Sequence, residues 1–88
     1  MSPATVADVT ERVLRDGADA EKFLQLGIMY SAGGSVPSDM VAAHKWLNIA
    51  ALRGNSEAAR LRREIAGEMS EAEIAAAQRA ARIWLTLH

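Results

Sequence analysis

The stretch from Ala20 to Asn55 constrains this chain more than any other. It sets two runs of helically spaced apolar residues on either side of a loop whose glycines and proline leave the backbone few choices. In the first run Phe23, Leu26, Gly27 and Tyr30 share one face, while Leu24 and Ile28 occupy a neighbouring one. A helix apolar on two faces is expected to be covered from two sides. Gly27 costs up to about 1 kcal/mol of helix propensity relative to Ala. That cost makes sense if a second helix crosses there at close range. In the second run Ala43, Trp46, Leu47 and Ala50 form the inward stripe, with Ile49 beside it. Between the runs, Gly33 and Gly34 permit positive φ, and Pro37 fixes its own φ while holding Val36 extended. Val36 is thereby predicted to plug the open end of the helix pair.

Caps and stops extend the reading to five helices. The first is predicted from about Pro3 to Asp16, with Ser2 as N-cap and Pro3 in the first turn, where its missing N–H costs nothing. Val6, Val9 and Val13 make its stripe, with Leu14 at the border; Asp8–Arg12 and Glu11–Arg15 pair acid-first on the other side. Gly17 ends it with a left-handed residue. The second runs from its cap Asp19 to about Ser31. The third, capped by Asp39 (or Ser38), reaches about Arg53. Gly54 stops that helix, and Asn55 caps the fourth, about Ser56 to Glu68, with Ala58, Leu61, Ile65 and Met69 inward. Ser70-Glu71-Ala72-Glu73 is a capping box opening the fifth, about Glu71 to Leu87. On that last helix Ile74, Ala77, Ala81, Trp84 and Leu85 form one stripe, and Ala76, Ala80, Ile83 and Leu87 a second. Their joint arc is roughly 200°, against the ~100° that one core contact needs. The surplus predicts self-association or docking through the C-terminal helix.

Composition agrees with a helical reading. The 88 residues suffice for one domain, 1–88, with a thin core. About one residue in five is Ala, which favours closely approaching helices, and no segment alternates as a strand would. There is no cysteine, hence no disulfide scaffold or thiolate zinc site. The formal net charge of −1 argues against a general nucleic-acid or membrane-surface binder. It is uneven: residues 1–44 hold three Lys/Arg against six Asp/Glu, and residues 45–88 seven against five. The sequence shows no signal-peptide pattern and no run near the ~20 apolar residues of a membrane span. The expectation is a cytoplasmic protein with no membrane contact.

Ala20-Glu21, Leu26-Gly27-Ile28-Met29-Tyr30, Gly34-Ser35-Val36-Pro37-Ser38-Asp39, Ala43, Trp46, Ala50-Ala51 and Gly54-Asn55 together resemble the Sel-one-like repeat, a relative of the tetratricopeptide repeat. The match covers residues 19–53 as one repeat; Gly33-Gly34-Ser35 departs from the usual Gly-x-Gly. A shift of 36 residues lays Asp19 on Asn55 and Glu21 on Glu57, so residues 55–87 read as a degenerate second copy and C-terminal cap. Residues 3–16 would be the N-terminal capping helix. The resemblance implies an all-α protein: a right-handed α-α superhelix (solenoid) of about five helices, with one full repeat plus a degenerate C-terminal pair. It also implies a short bacterial adaptor or scaffold that binds proteins and has no enzymatic activity. By the same analogy the first helices of each pair line a groove, making Lys22, Gln25, Met29, Arg60, Arg63 and Glu64 the partner-binding residues.

No constellation points to catalysis, a cofactor or a metal. His44 and His88 lie outside any metal-binding array, and His44 is predicted on the exposed side of its helix. Glu68, Glu71 and Glu73 are explained by their place at a helix start. Trp46 and Trp84 read as core. Arg53, Arg60, Arg62 and Arg63 make the one basic cluster. The alternative function is therefore a small nucleic-acid-binding regulator using those arginines, although no aromatic interleaves them.

Overall fold

Four side-chain caps set the helix starts along most of the chain. The computed structural model describes residues 6–15, 17 and 19–88. Among these residues there are five helices and no strand: α1 (Val6–Leu14), α2 (Ala20–Ala32), α3 (Met40–Leu52), α4 (Ser56–Ala66) and α5 (Glu71–Leu87). Asp19, Asp39 and Asn55 each accept from a backbone N–H three residues on, at 2.9, 3.0 and 2.8 Å. At α5 the capping box closes in both directions, Glu73 N–H to Ser70 Oγ at 3.1 Å and Ser70 N–H to Glu73 Oε1 at 2.8 Å. Each satisfies a donor that would otherwise be orphaned at a helix start. Asp39 rather than Ser38 is the cap of α3. The predicted Ser2 cap, Pro3 and the Asp16 end of α1 lie outside the described residues, as do the side chains of Val6, Asp8 and Val9.

The α2–α3 pair forms the centre. Asp39 N–H donates to Tyr30 C=O at 3.0 Å beside the loop, Gly27 meets Ala43 and Leu47 further in, and Phe23 meets Trp46 beyond. Rising numbers on one helix meet falling numbers on the other, so the two run antiparallel. At Gly27 the packing leaves no room for a side chain. A Cβ placed there would sit 2.5 Å from Leu47 Cγ and Cδ2 and 3.3 Å from the Ala43 carbonyl oxygen. At the loop, Gly33 adopts φ 73° and its N–H donates to Met29 C=O, ending α2 in the left-handed conformation. Gly34 does not use its freedom; no positive φ occurs there. Val36 is buried and joins the core.

α3 is the helix covered from most sides. It packs against α2, α4 and α5, and buries Ala43, Trp46, Leu47, Ile49 and Ala50. The two-sided covering predicted for α2 is only half present there: Leu24 is buried but Ile28 is exposed. Ala58 and Ile65 of α4 are buried, with Leu61 and Met69 packed against the core. On α5 the stripe of Ala77 and Ala81 is buried, with Trp84 and Leu85 against it. The Cα radius of gyration, 12.2 Å, is about what a compact chain of this length requires.

One placement reverses the sequence reading. His44 is 3% exposed, not solvent-facing, because α4 covers that side of α3. Its Nδ1 is buried and has no hydrogen-bond partner among the described residues. Burial first, and the Arg62 guanidinium second, hold its pKa below the ordinary 6.5. Folded His44 is therefore neutral at pH values where the unfolded chain is already protonated.

Two outcomes follow. Gly27→Ala should lose about 1–2 kcal/mol in urea denaturation despite the better helix propensity of Ala, because overpacking against Leu47 outweighs the gain. Leu47→Ala is destabilising by itself, so the test is a double-mutant cycle, in which the combined loss should be smaller than the sum of the two single losses; a Gly27→Ala protein as stable as wild type would refute the close-approach account. For His44, the unfolded state binds more protons below pH 6.5, so stability is full above that value and falls as pH drops toward the lower folded pKa. Denaturation at about pH 7.5 and pH 5 should show this decline in wild type, reduced in His44→Met; identical slopes would rule out His44 as its source.

Candidate functional site

Rings of α2 and α3, with His88 at the end of α5, converge on Trp84. Its ring meets Phe23 at 5.1 Å and Trp46 at 5.4 Å between centroids, both edge-on, and stacks on His88 at 4.3 Å. Phe23 and Trp46 lie nearly parallel, 5.8 Å apart. Edge-to-face contacts suit the ring quadrupoles, and each adds about 0.5–1.5 kcal/mol beyond area burial. His88 is held by its place at the end of α5, where its N–H and Nδ1 both contact Trp84 C=O, at 3.1 and 3.0 Å.

Two open clefts border this cluster and share Thr10, Glu11 and Trp84. The larger, about 520 Å³, adds Leu14, Arg53 and His88. The smaller, about 310 Å³, adds Tyr30, Lys45 and Trp46 along its wall. Lys45 Nζ lies 4.2 Å from the Trp46 ring centroid, and desolvation holds its ammonium below its ordinary pKa. The Arg53 guanidinium sits 5.2 Å over Phe23. Both cations thus rest on aromatic faces, as the ring quadrupole favours. Chemically the clefts offer aromatic surface rimmed by Lys45, Arg53 and Glu11, with Thr10 and His88 beside it. Thr10, Glu11 and Lys45 were not singled out from sequence. The available signal was Trp84, whose helix carried more apolar arc than one contact needs.

The four arginines of the sequence cluster divide among separate tasks. Arg60 is bound bidentately by Glu57 and reaches Glu64 Oε1 at 2.7 Å, all on the half-exposed face of α4. The Arg60 hydrogen bonds hold the Glu57 carboxyl below its ordinary pKa. Arg62 reaches across to α3 and donates to Asn48 Oδ1 at 2.5 Å. Arg53 lies over Phe23, and Arg63 is exposed. Their charge is not pooled in one patch.

The predicted groove residues are partly gathered. Gln25 and Met29 share a shallow depression with Glu21, Leu24 and Ile28, lined by α2 alone. Lys22, Arg60, Arg63 and Glu64 do not line it, although α2 and α4 are in contact. Ile28 and Leu24 are the apolar contributions that the analogy passed over. On α5, Ala76 and Ala80 are half-buried, whereas Ile83 and Leu87 are 61% and 73% exposed. Among the described residues no group of three His, Asp or Glu could hold a metal ion, and no helix is long and apolar enough to cross a membrane. No protein-family profile, characterised protein or solved structure matches the chain.

Trp84→Ala should cost about 2–3 kcal/mol, since it removes two edge-on ring contacts and opens a space beside Phe23 and Trp46. Thermal or urea unfolding measures it. A loss under about 0.5 kcal/mol would mean that α5 is held elsewhere.

Proposed function

We propose that this chain is a non-enzymatic protein-interaction module, an adaptor or scaffold of the Sel-one-like repeat type. In this reading α2 and α3 are the full repeat, α4 and α5 the degenerate pair, and the path they begin is a right-handed α-α solenoid. The observation that carries it is the Gly27 contact with Leu47 and Ala43, together with Val36 buried at the loop end. Glycine at the crossing, valine in the loop and an aromatic on the second helix are the positions on which the family resemblance rests. Fold analogy alone does not define a function. Support for binding over catalysis comes from what the polar groups do: Glu57 and Glu64 engage Arg60, and Glu73 closes a helix cap. The protein acts in the cytoplasm, without cofactor or metal, and its partner is another protein.

Two surfaces serve that role, the α2–α4 side carrying Lys22, Gln25, Met29, Arg60, Arg63 and Glu64, and the clefts beside Trp84. The nucleic-acid reading draws less support, because Arg60, Arg62 and Arg53 are each engaged within the chain.

Immobilised protein should capture a defined protein set from lysate of its native cell. Gln25→Glu with Met29→Glu should reduce that capture at least about tenfold, a change of ~1.4 kcal/mol. Capture unchanged by that pair and by Lys45→Glu at the Trp84 cleft would defeat the adaptor reading. On heparin at low salt the chain should elute early; firm retention that weakens steeply with salt would favour the nucleic-acid regulator instead.

A further inference from the structure

His44 is the one polar or charged residue buried in the core among the described residues, and the adaptor reading makes no use of it. One turn further along α3, Asn48 accepts a hydrogen bond from Arg62 of α4 at 2.5 Å. A buried neutral imidazole is therefore held beside a guanidinium at the α3–α4 contact. The neutral ring tolerates that neighbour. A protonated ring carries a full charge and two N–H donors, and its Nδ1 has no acceptor among the described residues. No carboxylate compensates: Glu57 and Glu64 of α4 engage Arg60 on the half-exposed face. Of the charged groups on α2, α4 and α5, Arg62 is the one that acts on the ring. Lys45, its neighbour on α3, has the same sign and lies over Trp46. The backbone of His44 itself favours the charged form, and burial and Arg62 outweigh it.

We propose that the α3–α4 contact is an acid-sensitive latch: protonation of His44 releases α4 from α3 while α2, α3 and α5 stay packed. A proton can reach His44 in the closed site or after the site has opened to water. Burial beside Arg62 makes the first route unfavourable, and opening restores the ordinary proton affinity of the ring. The latch is therefore full above pH 6.5 and weakens as pH falls below it. Which contact yields depends on how each helix is held against α3. α2 is locked where Gly27 meets Leu47 and Ala43, and α5 is tied by Trp84 to Trp46 and Phe23. α4 brings no aromatic ring to the core, and of its residues Ala58 and Ile65 are buried. Both its ends adjoin turns: Gly54 has φ 97° with open space beside it, and residues 67–69 turn before the Ser70 cap. Openings short of global unfolding draw on the element with the fewest buried apolar contacts. The inference does not depend on the repeat assignment or on any outside partner.

Native-state amide hydrogen exchange in low urea, corrected for intrinsic rates and read at pH 7.5 and pH 5, tests the latch. Amides of α4 should open through a step with little urea dependence, because that step exposes little surface. Protected α2 amides should instead show the steep urea slope of global unfolding. The opening constant of α4 should rise severalfold from pH 7.5 to pH 5. Its ceiling is about thirtyfold, from tenfold per pH unit below 6.5. In His44→Met the rise should vanish. Exchange of α4 only by global unfolding, with the urea slope of α2, would overturn the inference. So would a rise below about twofold in wild type, and both of those readings hold whether or not the variant folds. A rise retained in a folded His44→Met protein would overturn it equally.

Discussion

The close approach of α2 and α3 at Gly27 governs how everything else in this chain is arranged. With no side chain at that position, Leu47 can lie flat against the α2 backbone, and the two helix axes come near enough for Phe23 and Trp46 to meet on one side of the crossing. The cost is local, a weakened helix, and the return is shared by every residue along the seam. Dispersion contacts fall off steeply with separation, so a gap below one ångström over that length would forfeit a quarter to a half of each contact. The loop acts on the same constraint from its open end. Gly33 turns the chain with positive φ, and Asp39 N–H returns a hydrogen bond to Tyr30 C=O. Val36 then fills the space that the turn would leave.

Once α2 and α3 are that close, α3 cannot be reached from one direction only. Its remaining sides are covered by α4 and α5, and this explains two features that otherwise look unrelated. His44 is enclosed although its neighbours in sequence, Lys45 and Asn48, remain partly accessible. Burying an imidazole without a partner for Nδ1 is unfavourable, and a protein tolerates it where the surrounding contacts over-determine the position. Trp84 meanwhile comes to rest edge-on to both Phe23 and Trp46, so that one ring ties α5 to each helix of the central pair.

Much of this architecture was legible in the sequence, and for identifiable reasons. Asp19, Asp39, Asn55 and Ser70 mark helix starts through hydrogen bonds to residues only three positions away, so a local reading suffices. The Gly33 turn and the burial of Val36 are local in the same sense. What escaped was whatever depends on which helix lies over which face. His44 sits at the edge of an apolar stripe, and only the arrival of α4 decides that it is inside. Ile28 and Leu24 share a face by periodicity, yet one is exposed and one buried, because cover from a neighbour stops between them. The arginines illustrate the limit most clearly. Spacing groups Arg60, Arg62 and Arg63, while the helix turns Arg62 toward Asn48 and leaves Arg60 among carboxylates of its own face.

The surplus apolar arc on α5 has a physical origin in the same arrangement. To close over α3, a single helix must bring small residues to the tight contact and a large ring to the wide one, which Ala77, Ala81 and Trp84 provide. That requirement concerns one side of the helix. Nothing in covering α3 calls for Ile83 and Leu87, whose side chains point away from it and would be equally helix-compatible as Lys or Glu. In a chain of 88 residues with a thin core, two large apolar residues exposed on the last helix add no stability to the monomer and lower its solubility.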